Sequence, residues 1–579
     1  MKFKKLAQVF SEIEVTSGRL QMTQQLADLF SQVSAHEAKI VAYLVMGELN
    51  AQYVGTKFNL AEKALIKTVA SLLNQTDSHV ASELKKIGDL GSLVASYEWP
   101  VSKDYTILEV YEHLQKIENI SGTGSQEIKQ KELCDLLVSL DSLSAKYVLR
   151  IVLGTLRLGF SEMTVIDALS WMLVGDKSVR TEIEHAYNLE ADLGQIAFIA
   201  KNLGLEGIKK ISITVGVPIR PAAAERAESA QAVIDKIGAC VVQPKLDGFR
   251  LQIHVQKTGH KIQVNFFSRN LLDMSGMFPD LIGFFKDLKV ESLICEGEAI
   301  VYDEQTDSFA PFQETVKRRR KHDIEQVSQD LPLKLVVFDI LYLNGTSLLA
   351  KNHEQRRKIL LELFDYDNRK TVVAIHEVHV KNGLELDTYF MNNITSGLEG
   401  VIAKRPDALY QPGKRNFNWI KLKRNEHSRF DDTLDCVILG YYAGQGKRAS
   451  FGIGAFLVGV YNKHKDHFQT VAKIGTGLKD QEWHELKSKC DQIYVLEKPK
   501  NVECPKELYP DVWVLPKLVC VVRADEITSS PLHTAGKTET HLGLALRFPR
   551  IMSYRIDKDA FDATEVGELK RMFDLQHKK

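Results

Sequence analysis

The hydrophobic period of this chain changes at Val215-Gly216-Val217-Pro218-Ile219-Arg220-Pro221, and the change divides it into regions of different fold class. Two prolines and a glycine stop a helix from continuing there. Ahead of the break the apolar residues keep helical spacing. Leu26, Leu29, Phe30 and Val33 fall on one helix face. Thr16 and Ser17 offer capping hydroxyls in front of that helix. Similar patterns run through Leu133-Cys134-Asp135-Leu136-Leu137 and from Ile183 to Leu193. No fixed period repeats, which argues against a solenoid.

Beyond the break, strand patterns take over. Phe249, Leu251, Ile253 and Val255 alternate with Arg250, Gln252 and His254, the pattern of a half-buried strand. Ile262, Val264 and Phe266 alternate again after Thr258-Gly259, which predicts a hairpin. Leu335-Val336-Val337-Phe338 reads as a buried strand. A second change falls at Arg424-Asn425-Glu426-His427. Short strands with glycine-rich turns follow, at Val437 to Tyr442, Ala455 to Tyr461 and Gln469 to Ile474, and suggest a small barrel. Three regions result: all-α over 1–215, mixed α/β (α+β) over 216–424, and a β-barrel over 425–579.

Composition narrows the function classes. A length of 579 residues predicts roughly three to four domains. Hydrophobic residues at 44% and charged residues at 26% exclude a chain disordered throughout. No apolar run is long enough for a membrane helix. The basic start Met1-Lys2-Phe3-Lys4-Lys5 is not followed by a signal-peptide core, so a cytoplasmic protein is expected. Seven scattered cysteines without a CxxC pair fit a reducing compartment and no cysteine zinc ribbon. Acidic and basic residues number 75 each, so any binding to nucleic acid must come from local patches.

The strongest chemical signal is Lys245-Leu246-Asp247-Gly248-Phe249-Arg250. A lysine stands just before a strand, and the glycine permits a tight backbone and close approach by a ligand. A lysine amine becomes a nucleophile when desolvation or nearby cations lower its pKa. Attack on an α-phosphate would give a phosphoramidate. Four residues alone fit a surface turn with an ion pair equally well. An ordered set of further segments decides between the two. These are Ser268-Arg269-Asn270, Cys295-Glu296-Gly297-Glu298, Phe338-Asp339, Glu399-Gly400-Val401-Ile402-Ala403-Lys404, Trp419-Ile420-Lys421-Leu422-Lys423, and Arg547-Phe548-Pro549-Arg550 ahead of Arg555-Ile556-Asp557-Lys558.

This set resembles the ATP-dependent DNA ligases, within the covalent nucleotidyltransferases, and most of all their three-domain archaeal and eukaryotic replicative type. The resemblance covers nearly the whole chain. Phe3-Lys4-Lys5-Leu6-Ala7 through Met22-Thr23 and Leu149-Arg150 through Leu156-Arg157-Leu158-Gly159 look like the helical DNA-binding domain. Phe468 through Gly477 and Pro510-Asp511-Val512-Trp513-Val514 look like the OB-fold.

The resemblance implies ATP, magnesium and nicked double-stranded DNA, and a role for each motif residue. Lys245 would be the nucleophile, with Asp247 orienting its turn. Arg250 and Arg269 would hold phosphate or ribose oxygens, Arg269 facing the nick phosphate. Glu298 and Glu399 would contact ribose or magnesium; of Glu296 and Glu298, the family pattern selects Glu298. Phe338 would stack on adenine, and Lys421 and Lys423 would neutralise the α-phosphate. Arg555, Asp557 and Lys558 resemble the motif that closes over departing pyrophosphate, which requires the third domain to swing. One chain encircling DNA implies a monomer associated with the nucleoid. A sliding clamp is a candidate partner, although no peptide for such a contact is legible. One position departs from the family. Many members carry Glu two residues before the lysine, where it reads the adenine amino group. Here the residue is Gln243, whose carbonyl can still accept from that amine but without the charge, which loosens selectivity for ATP.

Other readings remain open at this level. An RNA ligase or mRNA-capping guanylyltransferase would share the lysine motif, and a DNA-binding scaffold with an inactive site would share the fold. The basic run Lys317-Arg318-Arg319-Arg320-Lys321 reads as a DNA contact or a solvated helix end. Gly444-Gln445-Gly446-Lys447-Arg448 reads as a phosphate loop or a barrel turn. Gly154, Arg157 and Gly159 read as a phosphate-approaching turn or as packing glycines. His376-Glu377-Val378-His379 is one residue short of a zinc motif, and no structural metal is assigned.

Overall fold

The structure is a computed structural model. It describes residues 1–101, 103–303, 331–365, 371–396, 398–423, 433–444, 446–475, 478–524, 526–555 and 557–577, together with Ser308, Phe309, Thr315 and Arg318. The chain packs as two units, residues 1–74 with 94–424, and 75–93 with 425–579. Among the described residues no helix is long and apolar enough to cross a membrane.

Up to Lys209 the described residues are helical, from Phe3–Val15 to Leu193–Lys209. Leu26, Leu29, Phe30 and Val33 are buried as their spacing requires. Reciprocal capping boxes start two helices, Ser34 with Glu37 and Thr106 with Glu109. The expected N-caps Thr16 and Ser17 do not cap the helix that follows; Thr16 instead closes Phe3–Val15 as its C-cap. Gly18 holds the N-cap of Arg19–Gln32 without a side-chain bond, and the Thr16 hydroxyl donates backwards to the Glu12 carbonyl at 2.8 Å. The helix starts at Arg19, so Thr16 and Ser17 lie outside its N-cap position. At the turn after Ser142–Val152, Gly154, Arg157 and Gly159 all have positive φ, at 65°, 64° and 80°. A Cβ built on either glycine meets nothing within 4 Å, so these glycines serve backbone conformation, not packing.

Two sheets make up the α/β part. The first is built from β1 Ala223–Ala227, β2 Cys240–Lys245, β10 Val378–Val380, β11 Gly400–Lys404 and β12 Arg415–Lys423, in the order β1-β12-β11-β2-β10. β1 runs parallel to β12 and the other pairs are antiparallel. Its back face buries Val242, Val401, Ala403, Ile420 and Leu422 against Val233 and Leu386 of helices Ala230–Ile237 and Gly383–Thr395. The second sheet is built from β3 Phe249–Thr258, β4 Lys261–Ser268, β5 Ser292–Asp303, β7 Leu333–Leu343 and β8 Thr346–Ser347, in the order β4-β3-β5-β7-β8. Two short strands join it, Ser308–Phe309 (β6) on β5 and Val372–Ala374 (β9) on β7. The predicted hairpin is β3–β4, and the predicted buried strand is β7. Its back face buries Leu251, Ile253, Val255, Leu335 and Val337 against Phe285 and Leu360. By strand alternation, the opposite faces of both sheets carry the polar motif residues.

The C-terminal region is sheet-rich. Strands β13 Leu434–Tyr442, β14 Ala455–Asn462 and β15 His467–Ile474 form an antiparallel meander, matching the three strands expected. The later strand Val519–Arg523 pairs with both β13 and Arg550–Tyr554. Irregular register at Ile438/Gly440 and Val458/Gly459 bends these strands around Trp483, Phe456 and Leu569. The expected boundary residues 424–427 lie outside the described residues. Trp483 is only 1% exposed. Trp483→Ala is expected to cost about 3–5 kcal/mol, read as a lower denaturant midpoint for the C-terminal transition.

Candidate active site

The two polar faces meet around Lys245. On the first sheet, Lys245 and Gln243 of β2, Lys404 of β11, and Lys421 and Lys423 of β12 share one face. Gly400 lies opposite both Lys245 and Lys423 in the ladder. Glu399, just ahead of it, forms ion pairs with both lysines. Its amide also donates to the Lys245 carbonyl at 3.2 Å. Burial acts to raise the Glu399 carboxyl, but the two ammonium groups outweigh it and hold the pKa below its usual value. The close approach needs glycine next door. Gly400 has φ 148°, and a Cβ there would stand 2.2 Å from the Leu422 carbonyl oxygen.

Cations converge on this face. Burial lowers the pKa of Lys421, and Lys423, Arg415, Arg269 and Lys245 lower it further. Such a cluster suits a multiply charged phosphate. Arg269 borders a recess shared with Ser268, Arg250 and Glu296.

On the second sheet, Arg250 and Glu298 are directly paired across β3 and β5. Glu298 accepts from the Gly248 amide at 3.2 Å, and burial pushes its carboxyl up to about 7 against the pull of Lys245 and Arg250. Gly248 is glycine for a steric reason: a Cβ would stand 2.4 Å from the Ala299 carbonyl oxygen. Arg250 reaches diagonally to Glu296, donating to its two oxygens at 3.0 and 2.9 Å, and donates to the Ala222 carbonyl at 2.8 Å. Its Nε is buried without a partner. Glu296 also accepts from the Tyr410 hydroxyl at 2.9 Å. The carboxylate passed over in the motif is therefore the one that fixes Arg250. Phe338 is half-buried, with Arg250 and Lys404 at 5.4 and 5.2 Å from its ring centroid and Trp419 edge-on at 6.2 Å.

Behind these groups lies a buried network that sequence reasoning missed. The Gln243 amide donates through Nε2 to Glu377 Oε2 at 2.7 Å. His353 Nε2 donates to the same oxygen at 2.8 Å. Burial acts to raise Glu377, yet His353, Arg357 and Lys404 bring its carboxyl down to about 2. Burial lowers His353, keeping it neutral, and its Nδ1 has no partner. Burial also lowers Lys404, to about 8. Glu377 sits in the His-Glu-Val-His stretch set aside as a broken zinc motif, and nothing in its spacing signals the contact with Gln243.

Arg555 and Lys558 belong to the second unit. There Arg555 binds Asp557 at 2.8 and 2.7 Å, and both cations bind Asp435, at 3.4 and 2.6 Å. Of the basic run 317–321, only Arg318 is among the described residues. It is buried and paired with Asp280 at 2.6 Å, a structural role. Of 444–448, Gln445 lies outside them, and Arg448 donates to the Gly454 and Gly475 carbonyls at 3.0 and 2.7 Å, which ties a turn together. Among the described residues no three His, Cys, Asp or Glu side chains cluster as a metal cage.

Three family models match in chain order: "DNA ligase N terminus" over 2–170, "ATP dependent DNA ligase domain" over 221–423, and "ATP dependent DNA ligase C terminal region" over 449–558. A "Probable DNA ligase" of Dictyoglomus turgidum is 45% identical over 100% of this chain and 98% of its own. A "DNA ligase" of Staphylothermus marinus is 38% identical over 100% of both chains. The solved structure Pmar-Lig_PreS3 shares the fold with a TM-score of 0.56, 16% identity and coverage of 95% of this chain and 99% of its own. The chain belongs to the family of ATP-dependent DNA ligases.

Gly400→Ala is expected to destabilise the first sheet by about 1–3 kcal/mol, measured by urea unfolding, because the new Cβ collides with fixed backbone. Glu377 gives a pH test. Its folded pKa lies below the ordinary 4.5, so its stabilisation is complete above pH 4.5 and is lost as pH falls towards about 2. The stability gap between wild type and Glu377→Leu is expected to hold steady above pH 4.5 and to close progressively as pH falls from 4.5 towards 2, followed by urea unfolding across that range.

Proposed function

We propose that this ligase seals nicks in duplex DNA through a lysyl-AMP intermediate on Lys245. The observation that carries the reading is the gathering of Lys245 and Lys423 around Glu399, with Lys421 on the same sheet face. The Lys245 nitrogen, deprotonated from its ammonium form, forms a P–N bond to the α-phosphate of ATP as the bond to pyrophosphate breaks, and releases a further proton to give the neutral phosphoramidate. A 5′-phosphate oxygen at the nick next takes the AMP, breaking that P–N bond and freeing the lysine. Attack by the 3′-hydroxyl on the activated 5′-phosphate then forms the phosphodiester, expels AMP and releases the hydroxyl proton. Each step is a transfer at phosphorus, where positioned charge supplies most of the rate.

The roles follow from position and charge. Lys421 and Lys423 neutralise the α-phosphate, and Arg269 takes the nick phosphate. Asp247 orients the lysine turn, and Phe338 stacks on the base. Arg250, held by Glu296, directs its remaining N–H towards ribose or phosphate. Arg555 and Lys558 act on pyrophosphate after exchanging their Asp435 partner for it. Magnesium fits Glu298 and Glu399, since the ion takes one or two carboxylates together with substrate phosphate oxygens. When bound it supplies charge neutralisation on the phosphates.

In this reading the functional domains are 1–215, which binds DNA, 216–424, which is adenylylated, and 425–579, an OB-fold. One chain encloses the duplex as a monomer, mostly through backbone phosphates, as sequence-independent sealing requires. Seven free thiols suit a reducing cytoplasm, where the nucleoid is the substrate.

The test is covalent labelling. Purified protein is treated with pyrophosphate and incubated with magnesium and ATP labelled in the transferred nucleotide, with Lys245→Ala alongside. Label that survives denaturation, is absent from the variant and is discharged by nicked DNA into sealed product is expected. Label retained by Lys245→Ala, or none after pyrophosphate treatment, would overturn the assignment.

A further inference from the structure

Gln243 stands two residues before Lys245 on the same strand face, and a glutamine is an ambiguous reader of bases. Its amide offers an acceptor at one atom and a donor at the other, and a half-turn about the last torsion exchanges them. Adenine presents an amino donor at position 6, whereas guanine presents a carbonyl acceptor there. A free glutamine would accept either. From these contacts we infer that Glu377 is a positioning residue that sets nucleotide selectivity by fixing the orientation of the Gln243 amide. The inference rests on the lysyl-AMP reading of Lys245.

The orientation is dictated by chemistry. Glu377, pushed down to about 2, is ionised at any working pH, and a carboxylate only accepts hydrogen bonds. The Gln243 atom 2.7 Å from it must therefore be Nε2. That leaves Oε1 on the far side of the amide, and among the described residues Oε1 accepts no hydrogen bond. Gln243 lies two residues before Lys245 on the same strand face, roughly 7 Å away along β2. The inference places this free acceptor on the nucleotide side, where it would be complementary to the adenine amine and repelled by the guanine carbonyl. The lock is itself braced. Neutral His353 donates to the same Glu377 oxygen at 2.8 Å, and the pair is buried, with side chains 3% and 8% exposed. Burial matters because water would otherwise compete for the amide and free its rotation. The negative group stands behind the reader: Glu377 orients a neutral amide, and the amide meets the base.

The measurement is nucleotide discrimination in lysine labelling, as the ratio of kcat/KM for ATP to that for GTP, after pyrophosphate treatment. Glu377→Leu removes the acceptor and is expected to lower the ratio on the order of 10- to 100-fold, with KM for ATP rising and KM for GTP falling. The exchanged pair, Gln243→Glu combined with Glu377→Gln, restores a fixed acceptor towards the base. In it the amide introduced at position 377 donates to the carboxylate introduced at position 243. The exchange is expected to recover the wild-type ratio, which simple damage to the fold would not allow. An unchanged ratio in Glu377→Leu, or a lowered ratio that the exchange fails to restore, overturns the inference. Should Glu377→Leu fail to fold, as its melting curve would show, Glu377→Asp decides. It keeps the charge but withdraws the carboxylate by one methylene, and an unchanged ratio there also overturns the inference. Wild-type protein that takes label from neither nucleotide would bring down the lysyl-AMP reading itself, a result separable from all the others.

Discussion

The site depends on one carboxylate that allows like charges to sit together. Lys245 points from β2 and Lys421 and Lys423 from β12, on either side of β11 in one sheet, and with Arg269 nearby their mutual repulsion would splay an unsupported face. Glu399 stands between Lys245 and Lys423 as a shared counterion. It gets there because Gly400 lets two strands close around it at a backbone angle that a side chain would obstruct. Everything built to meet an incoming phosphate is arranged around that pair of ion contacts.

The opposite wall works by the same logic with the charges inverted. Glu296, which is buried, and Glu298, which is partly exposed, are carboxylates on one strand face. They coexist because they are treated differently: Glu296 is paired with Arg250, while Glu298 has one backbone donor and is pushed towards protonation. The Arg250 fork fixes the geometry of β3 against β5 and places a cation beside the Phe338 ring. Structural support and reactive surface are thus the same few side chains, which explains why so many motif residues lie within short stretches of strand.

Much of this was legible in the sequence. Alternation in 249–255 and 262–266 gave the hairpin, and the doublet Lys421 and Lys423 gave two cations on one face, because strand period converts directly into direction. The motif order also placed Lys245, Glu298 and Glu399 together. What was not legible depends on contacts between distant residues. Glu377 meets Gln243 across 134 positions, a pairing set by the register of β10 on β2. Glu296 could not be told from Glu298 by spacing, since both face the same way and only the reach of Arg250 distinguishes them. Thr16 is not the N-cap because the helix begins two residues later than expected, at Arg19 with Gly18 before it, which leaves Thr16 to end the preceding helix.

The shared counterion makes the chemistry alter its own surroundings. In the proposed lysyl-AMP form, the Lys245 nitrogen would no longer be an ammonium and would cease to neutralise Glu399. The carboxylate keeps Lys423 and gains an oxygen with no cation opposite it. On that reading the free and nucleotidylated forms differ by one positive charge beside Glu399. A site that rebalances in this way can distinguish the partner it needs before the first transfer from the one it needs afterwards.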